Sequence, residues 1–527
     1  MSSDNDMNQK QGIGRRNMLK ALVGIPVLGV FGIELLRKLG YDEKHNTRKE
    51  IVRELGLEDL LSSVKPVTQS SGNLIRIGMA GFGIRGPQLA QALGFMEKQS
   101  FDNVVKNGSL DAQIKYGNFN VAITGICDVF DLHAEKGLAV AQHDIFTGGE
   151  IARKHPVKRY GHFHEMIGDS EIDAVIIATP DHHHASMAID AVRAGKHVYC
   201  EKAPIHREDE IEPLYEAVTN SGVIYQAGHQ VPQNAVFQQA QMIIKRGLLG
   251  NISQVETTTN RNSRDGAWIR HMDAEGNPKP GDEGSIDWKQ WLGNAPDAPF
   301  SIERYYDWAR FFDYETGLYG QLFSHEYDAI NQLLHVGIPE LVSATGGQYF
   351  YKDLGDMPDV LHTAFEYPDR GLTLTYSANL TSSKFRPRTI YGRDASLTVG
   401  GNLTMIPDGN SEKYAGLLEK DLVDPSKPML EIVAGASLKD AVDAVSSATT
   451  QYYANRGLTT TSIGGTEWDV THLHLKEWLD VIRNGGVTSA NIDMAYQEAV
   501  TLAMADISYR EKCRTRWDPV NKKILRV

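Results

Sequence analysis

Short apolar runs alternate with amphipathic stretches in the first half of the chain. The runs occupy residues 74–80, 121–128, 172–180, 197–204 and 222–230. A continuous apolar run of this length is typical of a strand that is buried on both faces of a parallel sheet. The stretch at residues 185–194 has a helical pattern and ends at Gly195. The alternation predicts an α/β domain built on a parallel sheet.

Beyond residue 231 the pattern changes to strands that are joined by aromatic loops. Residues 362–367 and 372–377 alternate apolar and polar positions, which predicts paired, half-buried strands. Residues 471–483 have the periodicity of an amphipathic helix. The sequence therefore predicts a second domain after residue 230.

A glycine turn follows the first apolar run. Gly81, Gly83 and Gly86 have the spacing G-x-G-x-x-G, and a helical pattern begins directly after them. The first glycine permits a tight turn, the second lets the backbone approach a pyrophosphate, and the third lets the helix pack close to the strand. Unpaired N–H groups at the start of that helix would attract the phosphates. An ordinary glycine turn is the alternative, but the strand–turn–helix context favours a dinucleotide site.

The second apolar run ends in a carboxylate, Asp128. At this place in a dinucleotide-binding fold, an acid accepts hydrogen bonds from the adenosine ribose hydroxyls. Its charge would repel a 2′-phosphate, so Asp128 favours NAD over NADP. The acid usually lies about 20 residues beyond the glycines, and we attribute the longer spacing here to an insertion at residues 96–120. A solvated aspartate at a strand end is the alternative.

Four polar residues lie at or just after the ends of the later runs: Thr179, His184, Lys202 and Gln230. Ligands of open parallel sheets bind beyond the carboxyl ends of the strands, so we expect these residues to share a site. We expect His184 to line the nicotinamide pocket and His182 and His183 to be solvated. Adjacent residues of a turn point in different directions, and no thiol or carboxylate spacing supports a metal site.

Several of these motifs together resemble the Gfo/Idh/MocA oxidoreductase family: the glycine turn, Thr-Pro-Asp-His-His-His at 179–184, Gly-Lys-His-Val-Tyr-Cys-Glu-Lys-Ala-Pro at 195–204, and residues 247–250. The resemblance runs from about residue 73 to the C-terminus. It implies an NAD-binding Rossmann domain at residues 73–230, and a substrate-binding α/β domain with an open, largely antiparallel sheet at 231–527. It also implies a homo-oligomer. The cofactor-binding residues that it implies are Gly81, Phe82, Gly83, Ile84, Arg85, Gly86, Asp128, Thr179, Pro180, His184, Glu201, Lys202 and Gln230.

The resemblance implies that Lys202 and His325 are catalytic. A hydride can leave a carbinol carbon only as the hydroxyl proton is taken, and His, or Lys with a lowered pKa, can take it near neutral pH. Lys202 would polarise and deprotonate the hydroxyl, and His325 would relay the proton. Many family members carry a carboxylate four residues before this histidine, whereas Gln321 stands there in this chain. A capping or core histidine is the alternative for His325.

Residues 284–293 and 308–312 are rich in tryptophan, aromatic side chains and arginine. Aromatic faces stack on sugar C–H surfaces while arginine reaches hydroxyls, so these segments suggest a carbohydrate cleft. Interface packing is the equal alternative. The substrate-binding residues that we expect are Lys202, Arg310, Gln321 and His325.

The first 40 residues resemble a twin-arginine export signal of the family's secreted branch. Arg15 and Arg16 precede an apolar run at residues 21–33, which suits a signal segment but is short for a bilayer span. We expect twin-arginine export to the periplasm, or weak membrane association through an uncleaved leader, with residues 41–72 as a linker. A basic amphipathic N-terminus is the alternative. The net charge of −13 argues against nucleic acid as a partner, and three cysteines do not suggest a disulfide framework.

Three functions agree with these patterns. The first is an NAD-binding oxidoreductase that acts on a sugar or sugar derivative and retains its cofactor. The second is a redox-neutral, NAD-dependent glycoside hydrolase or lyase, which oxidises the sugar, eliminates the aglycone and returns the hydride. The third is a non-catalytic sugar or nucleotide binder.

Overall fold

The computed structural model describes residues 51–57, 64, 67–68, 70, 72–108, 114–262, 279–352, 355–384, 386–433 and 459–527. The expected leader at 1–40 and most of the expected linker at 41–72 lie outside these described residues. Two linker residues that are described, Ile51 and Leu57, are buried in the largest hydrophobic cluster. Within the described ranges, no helix has the length and apolar character needed to cross a membrane.

The first domain contains a parallel sheet, which has six strands among the described residues in the order β3-β2-β1-β4-β5-β6. The strands are β1 (Ile75–Ala80), β2 (Val121–Cys127), β3 (Lys158–Tyr160), β4 (Ala174–Ile177), β5 (His197–Cys200) and β6 (Tyr225–Ala227). The helices are α1 (Arg85–Ala92), α2 (Lys98–Lys106), α3 (Asp131–Ala141), α4 (Glu150–Lys154), α5 (Phe163–Gly168), α6 (His184–Arg193) and α7 (Ile211–Thr219). This strand order is that of a doubly wound dinucleotide-binding fold. The predicted Rossmann domain is confirmed.

The second domain contains a larger sheet, with ten strands in the described part of the chain in the order β14-β13-β12-β11-β7-β10-β9-β8-β17-β18. The strands are β7 (Ile252–Asn260), β8 (Leu341–Gly347), β9 (Val360–Tyr367), β10 (Leu372–Asn379), β11 (Arg388–Gly392), β12 (Ala395–Val399), β13 (Asn402–Pro407), β14 (Leu430–Val433), β17 (Thr515–Asp518) and β18 (Lys523–Arg526), with β15 (Thr460–Ile463) and β16 (Thr466–Asp469) paired separately. The helices are α8 (Ala235–Lys245), α9 (Trp288–Leu292), α10 (Ile302–Tyr306), α11 (Ser324–Leu334), α12 (Ala415–Glu419), α13 (Val470–Asn484) and α14 (Ile492–Glu511). β7 and β10 pair in parallel, and the other pairs are antiparallel. The expected largely antiparallel sheet is confirmed.

The Rossmann sheet is covered on both faces, as its continuous apolar runs predict. Successive residues of a strand face opposite sides of a sheet. In β4, Ile176 belongs to one hydrophobic cluster and Ile177 to the other. The cluster of Ile176 also contains Trp478 and Leu479 of α13, so a helix of the C-terminal part completes the core of the nucleotide domain.

α11, which carries His325, is the central helix of the second domain. Every residue of α11 is buried, and a π-helical turn at Tyr319–Phe323 leads into it. Glu326 of α11 pairs with Arg388 of β11, with 2.7 Å between Oε2 and Nη2. This buried ion pair fixes the helix on the sheet, so the position of His325 is set by the core of the second domain.

Candidate active site

The glycine turn has the geometry that a dinucleotide site needs. Gly81 has a φ of +83°, and a Cβ there would lie 2.6 Å from the carbonyl oxygen of Ala178. A Cβ at Gly86 would lie 2.5 Å from the carbonyl oxygen of Gly81. A Cβ at Gly83 would meet only the ring of His133, at 3.6 Å. The fold itself thus requires glycine at 81 and 86, whereas the space at Gly83 suits the close approach of a ligand.

Asp128 is attached to the glycine turn. The N–H of Phe82 donates to Asp128 Oδ2 at 2.6 Å, and the N–H of Phe130 donates to Oδ1 at 2.9 Å. The carboxylate follows β2 directly, beside β1 and its turn. Its position and charge therefore fit an adenosine ribose, and the turn and Asp128 together fit NAD.

Arg85 connects the glycine turn to two other expected cofactor residues. Its Nε lies 2.7 Å from Glu201 Oε1. The amide of Gln230, oriented so that its nitrogen donates to Gly228 O, accepts from Arg85 Nη2 at 2.9 Å. Burial raises the pKa of Glu201, but the charge of Arg85 outweighs that effect and the pKa is lowered. Ile84 precedes Arg85 in the turn. Arg85 therefore brings together side chains that follow the ends of β1, β5 and β6.

His184 has a different place from the one we expected. Its Nδ1 lies 2.7 Å from Ala203 O and its Nε2 lies 2.9 Å from Thr179 O, and the residue is buried. Both ring nitrogens contact backbone carbonyls, so His184 connects the turn of Thr179 and Pro180 to the turn that carries Lys202. The imidazole thus holds the two turns together, and both of its nitrogens are engaged by backbone carbonyls.

The expectation that His182 and His183 are solvated was wrong. Both Nε2 atoms lie within 2.8 Å of the carbonyl oxygen of Trp291. Burial lowers the pKa of His183 to about 4 and that of His182 well below its usual range. Trp291 is itself buried and stacks on Trp288 with ring centroids 4.5 Å apart. The position of Trp291 is therefore explained by packing against neighbouring side chains and not by stacking on a sugar. In the described residues, no group of three His, Cys, Asp or Glu side chains is arranged to hold a metal ion.

Lys202 and Gln321, two of the expected substrate residues, lie in contact. Lys202 is buried, and its Nζ lies 3.3 Å from Gly320 O, 3.4 Å from Gln321 O and 3.5 Å from Gln321 Oε1. These three oxygens match the three N–H bonds of an ammonium group. Since all three are uncharged, Lys202 donates hydrogen bonds to this turn but finds no ionic partner in it.

His325 lies in the same buried region. Its ring meets that of His229 edge to face, with centroids 5.2 Å apart. Burial lowers the pKa of His325 well below its usual range, and the positive charges of His229 and Lys202 lower it further. The imidazole is therefore neutral at physiological pH and can accept a proton.

An ion pair that was not predicted from the sequence lies next to His325. His229 Nε2 and Glu498 Oε2 are 2.7 Å apart, and both side chains are 1% exposed. Burial lowers the pKa of His229, but Glu498 and then Asp328 outweigh it and raise the value to about 9. Burial also raises the pKa of Asp328 to about 6, although His229 opposes this shift. His229 follows β6 directly and could have been found by the strand-end rule, whereas no local pattern marks Glu498 within α14.

A second missed group is a pair of buried acids, Asp181 and Glu315. Glu315 accepts a short hydrogen bond from the amide nitrogen of Gln321, and Asp181 Oδ2 lies 3.4 Å from the N–H of Ala203. Burial raises the pKa of Glu315 well above its usual range, and Asp181 raises it further. Asp181 lies within the histidine motif, but Glu315 stands in an aromatic loop that carries no chemical pattern.

Arg310 is the expected substrate residue that the structure does not connect to the others. It ends a 3-10 turn at Trp308–Arg310 and is buried, which lowers its pKa. Its carbonyl accepts from the N–H of Asp356 at 3.1 Å. No hydrogen bond or ion pair between described residues joins its guanidinium to Lys202 or His325.

Comparison with known proteins agrees with this geometry. Residues 75–229 match GFO_IDH_MocA, an oxidoreductase family with an NAD-binding Rossmann fold. The chain is 24% identical over 261 residues to 2,7-anhydro-N-acetylneuraminate hydratase of Escherichia coli K12. This match covers 48% of this chain and 59% of that protein. The chain is 34% identical over 87 residues to levoglucosan dehydrogenase of Pseudarthrobacter phenanthrenivorans, covering 16% and 22%. An uncharacterised oxidoreductase of Streptococcus pneumoniae is 24% identical over 228 residues, covering 42% and 51%.

The same fold is present in solved structures. A levoglucosan dehydrogenase in complex with NADH and levoglucosan has a TM-score of 0.52 and 17% identity, with 86% of this chain and 99% of that chain covered. The sequence matches, by contrast, span at most about half to three-fifths of the curated relatives named here. The family match coincides with the Rossmann sheet, its glycine turn and the turn of Lys202. Residues 75–229 are therefore similar to the NAD-binding Rossmann domain of the Gfo/Idh/MocA oxidoreductases.

Proposed function

We propose that the protein oxidises a sugar or sugar derivative at a carbinol carbon, with NAD as the hydride acceptor. One observation carries this proposal: a neutral, buried His325 and the Nζ of Lys202 lie in one site, to which Arg85 joins the glycine turn. A carbinol oxidation needs a base for the hydroxyl proton beside the place where a nicotinamide is held. Two relatives named for sugar-derived compounds support the substrate class.

The cofactor would be held by the glycine turn and Asp128. Residues 81–86 fit its pyrophosphate, because the space at Gly83 is open to a ligand. Asp128 faces the ribose position with a negative charge, so we propose NAD in preference to NADP. Bound NAD would supply the acceptor for the hydride of the carbinol carbon.

The two protein groups divide the remaining work. His325 takes the hydroxyl proton in this scheme: burial and the neighbouring cations keep its imidazole neutral, and only the neutral ring can accept a proton. Lys202 lies against three uncharged oxygens, and its positive charge stabilises the charge that develops on the substrate oxygen as the proton leaves. This division differs from the expectation that Lys202 is the base.

A redox-neutral reaction is the second candidate. It is favoured by the similarity to a protein named as a hydratase, a name that describes no net oxidation. In such a cycle the cofactor would stay bound, and His325 would return the proton that it had taken. The twin-arginine pattern supports retention as well, because export by this route carries folded proteins and the cofactor would be loaded before export. We propose the periplasm as the location, and a homo-oligomer as the assembly.

The test uses the full chain, purified without added nucleotide. The protein is denatured and its supernatant analysed for NAD, and the native protein is then mixed with levoglucosan and with a panel of free sugars and glycosides. Bound NAD that is reduced by a sugar supports the oxidoreductase. Product without net NADH supports the redox-neutral cycle, and binding without turnover of any compound contradicts both. The assay is repeated with Lys202→Met. Lys196→Met is the matched control, because Lys196 comes just before the start of β5, away from Lys202, and binds backbone carbonyls there.

A further inference from the structure

Lys202 needs a negative charge that its own turn does not supply. The three oxygens around its Nζ are two carbonyls and one amide oxygen. Glu201, the next residue, is engaged by Arg85 at 2.7 Å. A buried ammonium is stable only when it is paired or well hydrogen-bonded. The position where the family often has a carboxylate is occupied by Gln321, so a countercharge for Lys202 would come from another element.

The amide of Gln321 points to its source. Its nitrogen donates to Glu315 Oε2, and its oxygen faces Lys202 Nζ. The hydrogen bond to Glu315 therefore fixes which end of the amide faces the ammonium. Asp181 approaches from the other side, with Oδ2 3.4 Å from the N–H of Ala203. Glu315 thus contacts Gln321, which binds the ammonium, and Asp181 contacts Ala203, which follows Lys202 in the chain.

Gly320 is what lets the two acids converge. A Cβ at this position would lie 2.7 Å from Glu315 Oε1 and 3.4 Å from Asp181 Oδ2. Both carboxyl groups are buried, and no donor among the described residues satisfies Glu315 Oε1. Two carboxylates that face each other in such a place do not both ionise, and one proton is shared between them.

We propose that Asp181 and Glu315 share one proton and act together as a singly charged counterion for Lys202, aligned through Gln321. The inference rests on the proposed function for its catalytic meaning. Both acids are positioning residues, because they reach the substrate only through Lys202. Neither acid has a direct hydrogen bond to the ammonium among the described residues, so the pair stabilises Lys202 without placing an anion against the substrate hydroxyl.

Burial and charge support this assignment. The groups that face Glu315 are Asp181 from the turn after β4, Lys202 from the turn after β5, and the uncharged Gln321 from the π-helical turn. Burial and Asp181 raise the pKa of Glu315, while Lys202 and Gln321 oppose the shift. The shared proton therefore resides mainly on Glu315.

The experiment measures the chemical reactivity of Lys202 in the full chain. Acetic anhydride is added at pH 8, and acetylation of Lys202 is compared by mass spectrometry with that of Lys476. Lys476 is the internal reference, because it is equally buried and is paired with Asp480. Only the neutral amine reacts, so the ratio of the two rates reports how firmly Lys202 holds its proton.

Glu315→Gln replaces a protonated acid by an uncharged amide and is expected to change the ratio less than about twofold. Asp181→Asn combined with Glu315→Gln removes the charge and is expected to raise the ratio at least about tenfold, the effect of one lost charge at short range. A tenfold rise with Glu315→Gln alone would mean that both acids are ionised. An unchanged ratio in the double variant would mean that the pair is no counterion. Either result overturns the proposal.

A measurement on the unsubstituted protein covers the case in which the double variant does not fold. Its infrared spectrum at pH 7 is expected to contain the carbonyl band of a protonated carboxylic acid, and Glu315→Gln is expected to remove that band. A spectrum without this band refutes the shared proton. Neither measurement needs a substrate or a cofactor, so a protein that passes both but oxidises no sugar contradicts the proposed function alone.

Discussion

The buried pair of His229 and Glu498 makes the stability of the protein depend on pH in a defined direction. Glu498→Gln removes the carboxylate that lies 2.7 Å from the imidazole and leaves a side chain of similar shape. Burial is the largest effect on His229 and lowers its pKa, so the pKa falls when the Glu498 carboxylate is removed, even though Asp328 remains. In the unsubstituted protein the pKa of His229 is raised to about 9 from its ordinary 6.5.

The magnitude follows from that difference. At about 1.36 kcal/mol per pKa unit, it corresponds to about 3 kcal/mol of folding free energy. Because the pKa is raised in the folded state, this stabilisation is fully present below pH 6.5 and is lost as the pH rises through 9. Removing one partner of a buried pair costs a similar amount, about 3–5 kcal/mol. Near pH 6, Glu498→Gln is therefore expected to lower the free energy of unfolding by about 3 kcal/mol, and near pH 10 by much less.

The assay is urea unfolding followed by tryptophan fluorescence at several pH values between 6 and 10. The difference between the unsubstituted protein and the variant isolates His229 from other groups that titrate in this range. Glu511→Gln is the matched control, because Glu511 ends the same helix in a half-exposed pair with Arg526, and such pairs contribute little. A difference between the unsubstituted protein and Glu498→Gln that stays constant from pH 6 to 10 would refute the assignment of a charged His229.

Three further outcomes are expected. Asp128→Ala should narrow the preference for NAD over NADP by about tenfold in a fluorescence titration, because a charged hydrogen-bond acceptor is lost; equal affinities before substitution would contradict the assignment. Lys202→Met should lower turnover by about a hundredfold while NAD stays bound, and unchanged turnover would place the chemistry elsewhere. Gly320→Ala would bring its Cβ to 2.5 Å from Thr316 Oγ1, so its free energy of unfolding should fall by about 1–3 kcal/mol. Gly416→Ala, which meets nothing within 4 Å, should show no such loss on thermal unfolding.

The sequence was a good guide to the fold and to one part of the site. The strand order of the first domain follows from apolar runs and a glycine turn, because both reflect local requirements of a parallel sheet. Lys202 and Gln321 could be named as site residues because Lys202 belongs to a motif and Gln321 lies four residues before His325. Glu498 and Glu315 could not be found in this way: each meets its partner through the packing of distant segments. Trp291 was misleading because composition alone does not separate a binding platform from a small hydrophobic core.

The place of α13 has a consequence for the order of events during synthesis. Trp478 and Leu479 belong to the same cluster as the apolar residues of β1, β2 and β4, and His472 stacks on Phe119 just before β2. The core of the nucleotide domain is therefore complete only after the ribosome has added residue 479, although the sheet itself ends at β6. A nascent chain that stops after β6 lacks these α13 side chains on one face of the sheet. Firm binding of a dinucleotide would thus be delayed until α13 has been synthesised.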